Sequence, residues 1–71
     1  MDWTGCVLVE CIPGKVSGQP VVVGTRVMPD AIVGDYEYGM SMEDIWENYP
    51  SLTPETIRGL IDFQSKKRTA A

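Results

Sequence analysis

The apolar positions of this chain change period once, close to Val27. Before that point they come as two short β-branched runs, Val7-Leu8-Val9-Glu10-Cys11-Ile12 and Pro20-Val21-Val22-Val23, which predict two strands. Pro13-Gly14-Lys15-Val16-Ser17-Gly18 between them is dense in turn formers and predicts a hairpin loop longer than the tight two-residue kind. After Val27 the spacing predicts three helices. Pro29 suits a first helical position, Ala31, Ile32 and Tyr36 share a face, and Gly39 follows Tyr38 where a left-handed C-terminal cap belongs. Gly34 inside this helix costs ~1 kcal/mol relative to alanine. Ser41-Met42-Glu43-Asp44 opens the second helix as a near capping box, Ile45, Trp46 and Tyr49 line its buried side, and Pro50 ends it. Thr53-Pro54-Glu55 opens the third with an N-cap hydroxyl, a proline at the first position and an acid at the positive end of the dipole. Ile57, Leu60 and Ile61 form its buried stripe, with Phe63 to one side and facing a partner. Thr69-Ala70-Ala71 reads as a frayed tail.

The fold class expected is mostly α: short N-terminal β-strands followed by a three-helix bundle. One domain spans residues 1–71, with a strand arm over 1–27, helices over 28–68 and a tail over 69–71. A chain of this length buries only roughly 60% of the surface its unfolded form exposes. Such domains lean on disulfides, a metal or oligomerisation. Cys6 and Cys11 are the two cysteines and there is no histidine, so a four-ligand zinc site cannot close. Residues five apart on a strand point to opposite faces, so the pair reads as two reduced thiols of a cytoplasmic protein. Association remains, and two valine-rich strands need a covering layer, so a homodimer is expected. Of the two tryptophans, Trp46 reads as core and Trp3 as the freer.

The net charge of −4 is unevenly spread. Residues 1–27 are neutral, residues 28–57 hold seven acids and no base, and residues 58–71 hold Arg58, Lys66, Lys67 and Arg68 against Asp62. An acidic domain is repelled by DNA unless a local patch overrides the global field. The run Cys6-Val7-Leu8-Val9 is far shorter than the ~20 residues of a membrane helix, and the N-terminus lacks the basic start of a signal peptide. No membrane association is expected.

Gly24-Thr25-Arg26, straight after three valines, invites a phosphate-binding reading. A phosphate loop needs several glycines, then lysine and a hydroxyl at fixed spacing, and one glycine does not make it. The residues read instead as a turn: Gly24 takes a backbone angle other residues resist, Thr25 bonds locally, and Arg26 pairs with Asp30 or Asp35. Without histidine the commonest general base is missing, and Ser41, Ser51 and Thr53 have caps to form rather than a partner base. Glu43 and Glu47, one helical turn apart, read as a solvated face rather than a cation site. The sequence therefore points to a non-enzyme with no cofactor and no metal.

Three segments carry a resemblance: Gly18-Gln19-Pro20-Val21-Val22-Val23-Gly24-Thr25-Arg26-Val27, then Gly39-Met40-Ser41-Met42-Glu43-Asp44-Ile45, then Tyr49-Pro50-Ser51-Leu52-Thr53-Pro54-Glu55-Thr56-Ile57. In order and spacing they resemble the bacterial domain-of-unknown-function family four-three-three, over roughly residues 12–63. Asp44 departs from the glutamate common there, and Cys6 and Cys11 lie outside the pattern. The resemblance implies a β segment before a homeodomain-like helix-turn-helix, often dimeric, and an antitoxin role beside a nuclease toxin of the PIN type. In that reading the third helix meets operator DNA. Thr56 and Arg58 lie near its start, and Lys66, Lys67 and Arg68 touch the phosphate backbone. Its outward face would be Glu55, Arg58, Gly59, Asp62 and Lys66, and two acids among the readers are unfavourable. Alternatively Lys66, Lys67 and Arg68 only complement the helix C-terminus. The competing class is a protein-binding module whose acidic block meets a basic toxin, with Trp3 or Trp46 as anchor. A structural adaptor without DNA contact is the blandest reading.

Overall fold

The structure, a computed structural model, describes residues 1–14 and 18–69. Two short antiparallel strands, β1 (Val9–Glu10) and β2 (Val21–Val22), precede α1 (Pro29–Glu37), α2 (Met42–Asn48) and α3 (Pro54–Thr69). The chain is thus mostly α with a small sheet, as its apolar pattern predicts.

The strands are shorter than the runs that announce them. Val9 pairs with Val22 and Glu10 with Val21, and the ladder stops there. Upstream, the Cys6 amide donates to the Trp3 carbonyl and the Val9 amide to the Cys6 carbonyl, so Val7 and Leu8 lie in a turn. Downstream, Gly24 has φ +78° and the Thr25 hydroxyl donates to the Val22 carbonyl at 2.9 Å while accepting the Val27 amide at 3.1 Å. That hydroxyl bridges both ends of the Gly-Thr-Arg turn, and the Gly24 amide donates to the Glu10 carboxylate at 3.1 Å. The turn is structural, as the sequence implies. Arg26 is not paired as expected: it is exposed and forms no ion pair among the described residues. Asp30 instead accepts from the Trp3 indole at 2.6 Å. The predicted interstrand loop falls partly on residues 15–17, and the predicted fraying partly on residues 70–71, which lie outside the described residues.

The helix boundaries follow their local signals. Pro29 starts α1, and Gly39, at φ +109°, turns the chain out of it. Ser41 caps α2 by accepting the Asp44 amide at 3.1 Å, and Thr53 caps α3 by accepting the Thr56 amide at 3.2 Å. Each such cap stabilises its helix by about 1 kcal/mol.

The faces depart more from expectation. In α1 the buried residues are Pro29, Ile32 and Val33, whereas Ala31 and Tyr36 are exposed. In α2 only Ile45 is buried, and Trp46 stands 44% exposed. In α3, Ile57, Leu60 and Ile61 are buried as predicted, and Gln64 continues their stripe.

Trp3 reverses its expected role. It is 6% exposed, joins the core with Ile32, Ile45 and Leu60, and stacks on Phe63 with ring centroids 5.8 Å apart. Phe63 therefore faces the chain's own N-terminus. Around Trp3, residues 2–8 run as a strap along α3. The Gln64 side chain donates to the Asp2 carbonyl at 2.7 Å, Lys67 pairs with the Asp2 carboxylate at 2.7 Å, and Leu8 sits over Gly59. A Cβ on Gly59 would lie 2.6 Å from Leu8 Cδ1, so any larger residue there makes the Leu8 side chain shift.

The two tryptophans should consequently differ in stability cost. Removing a buried aromatic costs about 3–5 kcal/mol, and Trp3→Ala also removes the indole bond to Asp30. Urea unfolding followed by circular dichroism should show a loss of that order for Trp3→Ala and less than about 1 kcal/mol for Trp46→Ala.

Candidate functional site

Of the five residues expected to touch DNA, the four whose side chains are described do not form one surface. Thr56 is half-buried, and its hydroxyl lies 3.0 Å from that of Thr53 within the cap. Lys67 is held by Asp2, with its ammonium 5.3 Å from the Phe63 ring centroid. Arg58 and Lys66 are exposed, but eight residues of helix put them roughly 12 Å apart along the axis. The Arg68 side chain lies outside the described residues.

Helical geometry explains the scatter. With about 100° between successive residues, Gly59, Phe63 and Lys67 fall on one flank of α3, and that flank carries the strap. Gly59 is therefore half-buried rather than on an open face. The arc that stays exposed carries Glu55, Arg58, Asp62 and Lys66, alternating in sign. A surface without net positive charge has little to gain from phosphate neutralisation.

A second surface lies on the other side of Arg58. Met42, Glu43, Trp46, Pro54, Glu55 and Arg58 line a groove of about 360 Å³ between α2 and the start of α3. Glu43 and Asp44 occupy the first turn of α2 and Glu55 that of α3, where acids complement the helix dipole. Glu47 has no such excuse. It lies in the last turn of α2, where the dipole disfavours an acid, and it is exposed with no partner among the described residues. Trp46, one residue before it, leaves 44% of its surface in water. Neither residue is required where it stands by the fold. The signal that would have found this groove is that pairing, an aromatic beside an ill-placed acid on one short helix.

No group of His, Cys, Asp and Glu suited to a metal occurs among the described residues. Cys6 is buried and Cys11 exposed, both as free thiols. No helix among the described residues is long and apolar enough to cross a membrane.

Comparison with known proteins follows the same outline. The profile of the family described as protein of unknown function, DUF433, matches residues 9–63. The chain belongs to this family. The crystal structure of a DUF433 member from Anabaena variabilis ATCC 29413 resembles it with a TM-score of 0.69 at 22% identity. That similarity covers 89% of this chain and 62% of the Anabaena protein, so the chain spans under two thirds of that protein's length. At this identity the likeness speaks for the fold. None of the curated proteins matches the chain. The family match begins at β1 and ends at Phe63, so strap residues 2–8 and their partners Gln64 and Lys67 lie outside it.

The strap has a pH signature. The Lys67 ammonium, the Thr4 hydroxyl and the Thr4 amide, in that order, hold the Asp2 carboxyl well below the usual aspartate range. Because the folded-state value is lowered, the contribution of this contact is complete above about pH 3.9 and fades as pH falls from there. Carbon-detected titration of Asp2 should give a midpoint well under that value. In Lys67→Met, or in 1 M salt, the midpoint should rise toward it.

Proposed function

We propose that this DUF433 protein is an antitoxin-type module that binds a basic, nuclease-like protein partner through the acidic face of α2 and the start of α3. One observation carries the reading. Trp46 is exposed on the helix that carries Glu43 and Glu47, whereas Lys67 is held by the strap and Arg58 and Lys66 lie on an arc of mixed charge. A nuclease must attract polyanionic RNA, so its substrate surface is basic, and an acidic face competes for it with charge complementarity and fast association.

Operator binding is the second reading, favoured by Arg58, which is exposed near the start of α3 with no partner among the described residues. Homodimerisation belongs to the same proposal. Val7, Ile12 and Val23 are exposed around the hairpin, where apolar surface beside strand edges favours a second copy.

Co-expression with the protein encoded beside it tests the first reading. The wild-type chain should relieve growth arrest by that protein and co-purify with it. Glu43→Lys with Glu47→Lys should weaken association at least tenfold while the helical spectrum persists, and no effect of the reversal would remove the acidic face from the reading. In a gel-shift titration against the upstream DNA, Arg58→Ala with Lys66→Ala should abolish a retained complex, and unchanged retention would dismiss α3 as the reader. For the dimer, Val23→Lys should lower the sedimentation coefficient to that of a monomer. A dimer that persists would move the interface elsewhere.

A further inference from the structure

We infer that the groove between α2 and α3 is an arginine-reading site, which takes an arginine flanked by apolar residues from a segment of a basic protein. The inference rests on the partner-binding reading above and adds what the partner must present.

The floor of the groove is apolar and its rim acidic. Trp46 and Met42 are one turn apart on α2, and Pro54 faces them from the first position of α3. Glu43 and Glu55 flank this floor, and Glu47 follows Trp46 on the same helix. Arg58 is the one cation in the lining, so the acids are in excess. An indole face beside carboxylates matches a guanidinium on two counts: the ring attracts a cation over its face, and the planar fork bonds a carboxylate in two places. Lysine meets only the first condition fully. Met42 is a flexible, polarisable surface for an apolar neighbour of that arginine. The groove, at about 360 Å³, is large enough for side chains of a segment.

Charge also decides against other occupants. A second copy docking here by a two-fold axis would bring the acidic set Glu43, Glu47 and Glu55 of one copy against the same set of the other. A nucleic acid would meet the same acids with its phosphates. A basic polypeptide segment relieves both problems.

Trp3 and Trp46 supply two indole N–H signals, one in the core and one in the groove, so nitrogen–proton correlation spectra report the site directly. The probe is a capped twelve-residue peptide with leucine and arginine at helical spacing, added to the full chain. The Trp46 signal should move saturably while the Trp3 signal stays. Lysine in place of arginine should weaken binding several-fold, and glutamate should abolish it. Trp46→Ala, followed by backbone signals of α2, and Glu43→Gln with Glu55→Gln should each weaken binding at least tenfold in folded protein. A static Trp46 signal, or an equal response to the glutamate peptide, would overturn the proposal. So would a Trp46 shift that depends on protein concentration without peptide, which assigns the groove to a second copy. Failure here is separable from failure of the wider reading. If the neighbouring protein still binds and ignores Trp46→Ala, the groove is wrong and the antitoxin reading stands. If the arginine peptide binds and the neighbour does not, the reverse holds.

Discussion

The structure depends on the contact that Trp3 makes across the chain. Its indole donates to Asp30 on α1, its ring stacks on Phe63 of α3, and its neighbours Asp2 and Leu8 reach Lys67 and Gly59. A two-stranded hairpin and three short helices leave one side of α3 uncovered, and in a domain this small an uncovered flank is a large share of the core. The strap closes that side with one buried aromatic and a few polar contacts. The polar contacts also fix its register: the bond from Gln64 to the Asp2 carbonyl satisfies an otherwise buried amide, and a slip by one residue would leave that amide unpaired.

Local signals were legible in the sequence because the physics that sets them is local. Thr25, Ser41 and Thr53 each bond two or three residues away, and Gly39 needs only its own backbone angle. The interior stripe of α3 was equally plain, since Ile57, Leu60 and Ile61 leave little choice of face. The two tryptophans were assigned in reverse for a physical reason. Trp3 meets Asp30 across 27 residues, and Gln64 meets Asp2 across 62, so nothing near Trp3 in the sequence announces its burial. The family resemblance could not supply it either, because the match starts at residue 9. α2 has seven residues, barely two turns, and Ile45 and Trp46 lie about 100° apart on it, so a core that takes Ile45 fully leaves Trp46 at its edge. Their apolar character alone favours burying both, and packing against α1 and α3 selects the isoleucine.

The strap and the groove are linked by the geometry of α3. A helix offers the core about a third of its circumference, and the strap takes the adjoining flank with Gly59, Phe63 and Lys67. What remains for a partner is the arc of Glu55, Arg58, Asp62 and Lys66 and the groove that Arg58 shares with Trp46. Covering the flank thus biases the helix away from polyanions, since it commits Lys67 to the exposed Asp2 carboxylate and leaves the other acids outward. The same sequence without its strap would present a more basic α3 on a weaker core.

In the proposed reading, stability and recognition share the acids at two helix starts. Acids in the first turns of α2 and α3 support their own helices, so Glu43 and Glu55 are held in place by the fold before any partner arrives. Glu47 and the exposed face of Trp46 add nothing to that support; Trp46 belongs to the apolar floor that Glu43 and Glu55 line. A preformed site built on two capped helices loses little conformational entropy when it is filled. Such a site discriminates by what it can pair, and among protein side chains the one that satisfies an indole face and two carboxylates together is arginine.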